Sequence, residues 1–156
     1  MSTKATILDI ADEIVADLNG LQSPTPPAVN PFLPFTFTAY RDYAPVFELK
    51  SMDSLIVVVC PRDKKMVIAG RPVVQQDDGI DIGIMMKPSN LVISSPASVL
   101  DPLMALVEQI NDAIRFEAFG GSGWIESQNR PVYSAEHLRD LKQFTSVLQI
   151  TLRRVR

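Results

Sequence analysis

The sequence predicts an α+β fold: a small mixed, mainly antiparallel sheet with an N-terminal helix and a second long helix packed on it. Three observations predict this. Two segments repeat apolar residues at steps of three and four, the period of one helix face. Several others alternate apolar and polar residues, as half-buried strands do. The strands are grouped between the helices and not interleaved with them one by one, which argues against a doubly wound parallel sheet.

The first helix runs to Leu18, with Ile7, Ile10, Ala11, Ile14, Val15 and Leu18 on one face and Asp9, Asp12, Glu13 and Asp17 on the other. Asn19-Gly20 is the expected stop, glycine tolerating the left-handed C-terminal position. Residues 21–34 hold Pro24, Pro26, Pro27, Pro31 and Pro34 and read as an extended connector, since proline neither continues a helix nor donates to a ladder. Phe35, Phe37 and Ala39 then alternate with Thr36, Thr38 and Tyr40 as a strand.

Leu55 to Cys60 is uniformly apolar, the pattern of a strand covered on both faces and central in its sheet. Arg62-Asp63-Lys64-Lys65 reads as a charged turn, and Met66 to Ala69 as a short strand stopped by Gly70 and Pro72. Ile80, Ile82, Ile84 and Met86 share one face. Asp78-Gly79 before them is either a hairpin turn or a bulge in one strand from about Val73 to Met86, because Val74 has the parity of Ile80.

Residues 87–100 form a loop, after which Asp101-Pro102 opens the second helix as N-cap and first-turn proline. Its buried stripe is Leu103, Leu106, Val107, Ile110, Ala113 and Ile114. Residues 117–131, with Gly120-Gly121-Ser122-Gly123 and Trp124, read as a flexible loop. Ser134 caps a short helix, and a last strand sets Phe144, Leu148, Ile150 and Leu152 against Thr145, Gln149, Thr151 and Arg153. With 156 residues, 46% hydrophobic and 21% charged, the chain is expected to form one domain over 1–156 without a disulfide or metal staple.

Charge and cysteine usage exclude several classes. A net charge of −3 and a pI near 5.1 lack the basic face that general nucleic-acid binding needs. Cys60 is the single cysteine, which rules out an intrachain disulfide and suits a reducing compartment. No run approaches the ~20 apolar residues of a spanning helix. The charged N-terminal segment lacks the apolar core of a signal peptide, so the expectation is a soluble protein made in a cytoplasm.

Candidate chemistry is sparse. Asp77, Asp78 and Asp81 could bind magnesium, but two are ordinary turn residues and no phosphate-binding motif accompanies them. Cys60 and His137 are the conceivable nucleophile and base, a role that requires them within hydrogen-bond reach. The Gly120–Gly123 run follows a helix and has no lysine at the spacing of a phosphate loop. No catalytic residue, metal or cofactor is expected. Trp124 either tucks against the core or anchors a subunit contact. Arg153, Arg154 and Arg156 either solubilise an edge strand or face an acidic neighbour.

The succession "ILDIADEIVADLN", "FTAYRDYAPVFELKSMDSLIVVVCP", "IDIGIMMK", "LMALVEQINDAI" and "VYSAEHLRDLKQFTSVLQITLRRVR" resembles the tail-terminator, or tail-completion, proteins of long-tailed bacteriophages over most of the chain. The resemblance implies a tail-terminator-like fold. It also implies a virion structural protein of the neck, made in the bacterial host's cytoplasm: a homohexameric ring that caps the tail tube, ends its polymerisation and joins the tail to the head connector. Its partners would be further copies of itself, the tube protein and the head-tail connector or adaptor proteins. DNA would pass the lumen without specific binding, and no membrane is involved. The family has no catalytic residues. Loops and strand ends would face the neighbours, which makes Arg62, Lys64, Arg71, Trp124, Arg130, Arg153, Arg154 and Arg156 the candidate interface residues. A head-tail adaptor subunit is the alternative within the neck, and a small ligand-binding α+β domain the alternative outside it. The proline connector of residues 21–34 has no counterpart in the family pattern.

Overall fold

A computed structural model describes residues 4–22, 30–32, 34–44, 54–87 and 97–156. Helix α1 spans Thr6–Gly20, followed by β1 (Ala39–Arg41), β2 (Ile56–Ile68), β3 (Val74–Met86), α2 (Ala97–Ile114), β4 (Ala118–Phe119), β5 (Ser122–Gln128), a short π-helical turn (His137–Leu141) and β6 (Phe144–Val155). The strands form one six-stranded sheet in the order β1-β2-β3-β6-β5-β4. Only β1–β2 is parallel; the other pairings are antiparallel. The fold is α+β.

The core lies between the helices and one face of the sheet. Val57 and Val59 of β2, Ile80, Ile82 and Ile84 of β3, and Leu148, Ile150 and Leu152 of β6 point into it. They meet Ile10, Ile14 and Leu18 of α1 and Leu103, Leu106 and Ile110 of α2. Burying each such side chain contributes roughly 1.5–3 kcal/mol. The predicted helical stripes and the alternation of β6 both appear as buried rows. On the opposite sheet face, Ile56, Val58, Cys60 and Met85 form a smaller buried cluster.

Several predicted boundaries change. Gly20 ends α1 without a positive φ; the helix stops at Leu21 in a right-handed conformation. The nearby Asn19 acts instead as a brace, its side chain accepting from the Ala39 N–H at 2.8 Å and donating to the Ala39 carbonyl at 3.0 Å. This double bond to β1 imitates a strand pairing. Ladder pairing of the Phe35–Tyr40 segment is therefore confined to Ala39–Arg41. Phe37 N–H donates to the Gln22 side chain, and Asn30 donates to the Phe35 carbonyl. From the 21–34 connector, Phe32 is fully buried in the core; residues 23–29 lie outside the described ones, as do 88–96 of the predicted 87–100 loop.

The predicted charged turn at Arg62–Lys65 is in fact strand. β2 continues through it to Ile68, and the hairpin turns later, where Ala69 and Gly70 N–H groups donate to the Val73 carbonyl. At Asp78-Gly79 the second alternative holds in part: β3 is one continuous strand over Val74–Met86, with the bulge not in it but across from it in β2, between Pro61 and Asp63. β2 is also not central; it lies second from an edge, while β3 and β6 form the middle.

Helix α2 begins at Ala97, ahead of the predicted cap, and carries Pro102 inside. The 117–131 segment is no flexible loop. Phe119 pairs with Ser122 across Gly120 and Gly121, whose φ angles of 57° and 77° make a two-residue hairpin turn. A Cβ at Gly120 would lie 2.8 Å from Ile10 Cγ1, so the turn is seated directly on α1. The Ser134 cap is present, its hydroxyl accepting from the His137 N–H at 3.2 Å.

Candidate assembly surface

Residue parity sets the character of the sheet's far end. The extra residue at the β2 bulge shifts parity, so Lys64, Met66 and Ile68 continue the face begun by Val57 and Val59. On β3 the same face runs back from Ile80 through Asp78, Gln76 and Val74. On β6 it runs on from Leu152 to Arg154. The apolar row thus becomes polar within one sheet, and the far half of the β2–β3 hairpin leaves the helix-covered core as a three-stranded arm with β6.

The arm is held by polar contacts. Asp78, fully buried, accepts from Gln76 Nε2 at 2.7 Å and lies 3.8 Å from Lys64 Nζ. Arg156 Nη2 reaches Gln76 Oε1 at 3.3 Å, and its main chain pairs with Val74 in both directions. On the other face, Arg153 binds Asp77 through two bonds of 2.7 and 2.9 Å. That guanidinium holds the Asp77 carboxyl below the usual range. Arg62 donates to Asp81 at 2.6 Å and lies 3.4 Å from Asp63. A Cβ at Gly79 would collide with the Arg62 and Asp63 side chains, which cross the strand there.

Outside these pairs the arm is open. Met66, Val67 and Ile68 are 54%, 39% and 80% exposed, and Val155 is 58% exposed. β1 covers β2 only at Val57–Val59, so the β2 edge from Asp63 to Ile68 has no strand beside it among the described residues. Such an edge invites pairing, and its lysines are the usual guard against indiscriminate pairing.

The predicted interface residues separate into groups. Arg62, Lys64, Arg153 and Arg156 are engaged inside the arm as above. Arg71 is exposed in the hairpin turn, and Arg130 is exposed after β5. Arg154 lines a cleft with Lys4, Asp9, Asp12 and Glu13 of α1. Neither alternative for the terminal arginines assumed an interior strand, yet β6 is interior, and Arg153 is the internal partner of Asp77. Trp124 packs partly against the core, donates to Ser127 Oγ at 2.7 Å and meets the exposed Phe116 ring edge-on at 5.0 Å. The exposed Met66-Val67-Ile68 run has no place in the predicted set; its signal was an apolar triplet between Lys64-Lys65 and the Gly70-Arg71-Pro72 turn.

The remaining candidates do not converge. Asp77 and Asp81 are ion-paired on one face, and Asp78 is buried on the other. Among the described residues no His, Cys, Asp and Glu group could hold a metal ion. Cys60 lies opposite Asp81, whereas His137 bonds Thr145, which lies opposite Met85 farther along the sheet. Burial pushes the Cys60 thiol up, and the Asp42 and Asp81 charges add to this, which disfavours the thiolate. No described helix is long and apolar enough to cross a membrane.

No family model and no curated protein matches the sequence. Among solved structures, the chain is similar to one described as the virion of a native gene transfer agent particle. The TM-score is 0.43 and the identity 12%, over 74% of this chain and 78% of that one.

Proposed function

We propose that this chain is a virion structural protein of a bacteriophage neck, a tail terminator that works by closing into a ring on the end of the tail tube. The observation that carries the reading is the arm, which presents exposed Met66 and Ile68 and a β2 edge with no strand beside it among the described residues. The order of sequence segments resembling tail terminators supports the same reading. The work is mechanical: a heterologous contact with closing rotation makes a ring. The ring then buries the growing surface of the tube and offers another face to the head connector. A net charge of −3 suits a lumen that passes DNA without holding its phosphates.

The test is to add the purified protein to polymerising tail-tube subunits and follow tube length by electron microscopy. Six-subunit rings on the tube ends, with elongation halted, are expected. Twelve-subunit rings without effect on tube growth would point to an adaptor instead. A protein that stays monomeric and leaves tube growth unchanged would overturn the reading.

A further inference from the structure

The helix layer carries a second surface without a partner among the described residues, where the C-terminal ends of α1 and α2 meet. It is a groove of about 530 Å³ lined by Asp17, Leu21, Pro31, Asp112, Ala113 and Glu117. Neither helix has a basic residue in its last turn. Both therefore direct the negative ends of their dipoles here without compensation from within. Arg115 pairs with Asp112 at 3.2 Å, but no cation pairs with Asp17 or Glu117 among the described residues. Burial, and then the Glu117 charge, raise the Asp17 carboxyl above its ordinary range. A surface of this kind is electrostatically unfavourable while empty and favours a basic occupant with some apolar surface for Leu21, Pro31 and Ala113.

The same chain carries such an occupant elsewhere. Arg71 at the arm tip has no ion pair among the described residues, and Met66 and Ile68 stand exposed on one face of the arm beside it, while Lys65 lies on the other face across from Asp77 and helps to lower its carboxyl. The hairpin is fixed in the plane of the sheet by its register with β6, while the groove lies on the helix layer. The contact is therefore one between copies.

We infer that the β2–β3 arm tip of one copy docks in the α1–α2 groove of the next, with Arg71 facing Asp17 and Glu117 and with Met66 and Ile68, which share one face of the arm, facing Leu21, Pro31 and Ala113. This rests on the ring reading above and specifies its subunit contact. Arm and groove are different surfaces, so each copy uses one of each, as head-to-tail closure requires.

The test uses the full chain in two variants. R71E spoils the arm tip and leaves the groove intact; D17N/E117K spoils the groove and leaves the arm intact. The three side chains hold no core position, and D17N relieves the crowding of a carboxylate beside Glu117. Thermal melts should therefore show both variants as stable as the parent or more so. By native mass spectrometry the parent should form rings, and each variant alone should run as the 17.3 kDa monomer. The dissociation concentration should rise on the order of tenfold or more. An equimolar mixture should recover rings built from both variants, since the intact arm meets the intact groove and the acidic tip of R71E meets the groove of D17N/E117K, whose charge is reversed. Rings that survive both variants would refute this contact and leave the ring reading standing. Loss of rings in the arm variant only would place the arm against some other surface and also refute it. A parent that never forms rings would refute both.

Discussion

Strands β2, β3 and β6 each pass through two regions of opposite character, and the boundary falls within a few residues. In the near half, Val57, Val59, Ile80, Ile82, Ile84, Leu148 and Ile150 are buried under two helices. In the far half, the same face carries Lys64, Met66, Ile68, Gln76, Asp78 and Arg154. The near half gains its stability from burial. The far half is held by strand pairing and paired charges, and it leaves apolar side chains in solvent that the fold does not use. The lesson is one of division of labour: a continuous sheet transmits rigidity from a core that folds to an arm that is free to make contacts.

The near half should break first. Ile82 is fully buried between the sheet and both helices, so Ile82→Ala removes its contacts and leaves a cavity. A loss of about 2–5 kcal/mol is expected, read as a lower urea midpoint at unchanged slope. Next is Gly120, where any side chain meets Ile10 in a left-handed backbone conformation. Gly120→Ala should cost about 1–3 kcal/mol by the same measurement, because hairpin and helix cannot separate without exposing core. If either change left stability untouched, the contrast between the halves would fail on its stable side.

The two regions also differ in how well the sequence announces them. The helix stripes and the alternation of β6 were legible because each core residue sits at its element's own period. The arm was not, since periodicity was masked by the bulge. One extra residue at Arg62 changes the parity of β2, so that a charged quartet looks like a turn when it is the continuation of a strand. Asp78-Gly79 carries a strong turn signal, yet Gly79 serves a different need: room for Arg62 and Asp63 to cross it. Gly120-Gly121 was the opposite case, a readable hairpin pair mistaken for flexibility. The groove left no trace at all, because Asp17 and Glu117 are a hundred residues apart and meet only through the packing of α1 on α2.

A smaller effect tests what holds the arm together. Asp77 is 15% exposed and Arg153 38%, so solvent screens the pair, and Asp77→Asn should cost only about 0.5–1 kcal/mol at neutral pH. The sign with pH follows from the lowered Asp77 carboxyl. Its contribution is complete above the ordinary aspartate range near ~4 and disappears as pH falls through the depressed folded value. Parent and variant melts should therefore converge in acid. A difference that persisted well below that range would mean the guanidinium is not what holds the carboxylate.

The smallest change in stability belongs to the arm tip, and there the comparison is sharpest. Ile68 is 80% exposed, so Ile68→Ser should shift the unfolding free energy by no more than about 0.5 kcal/mol. If the tip exists for contact, the same substitution should weaken self-assembly by native mass spectrometry while the melt stays where it was. A melt that fell together with assembly would show Ile68 to be part of the folded core's own support, and the boundary between the two halves would have to move outward along the hairpin.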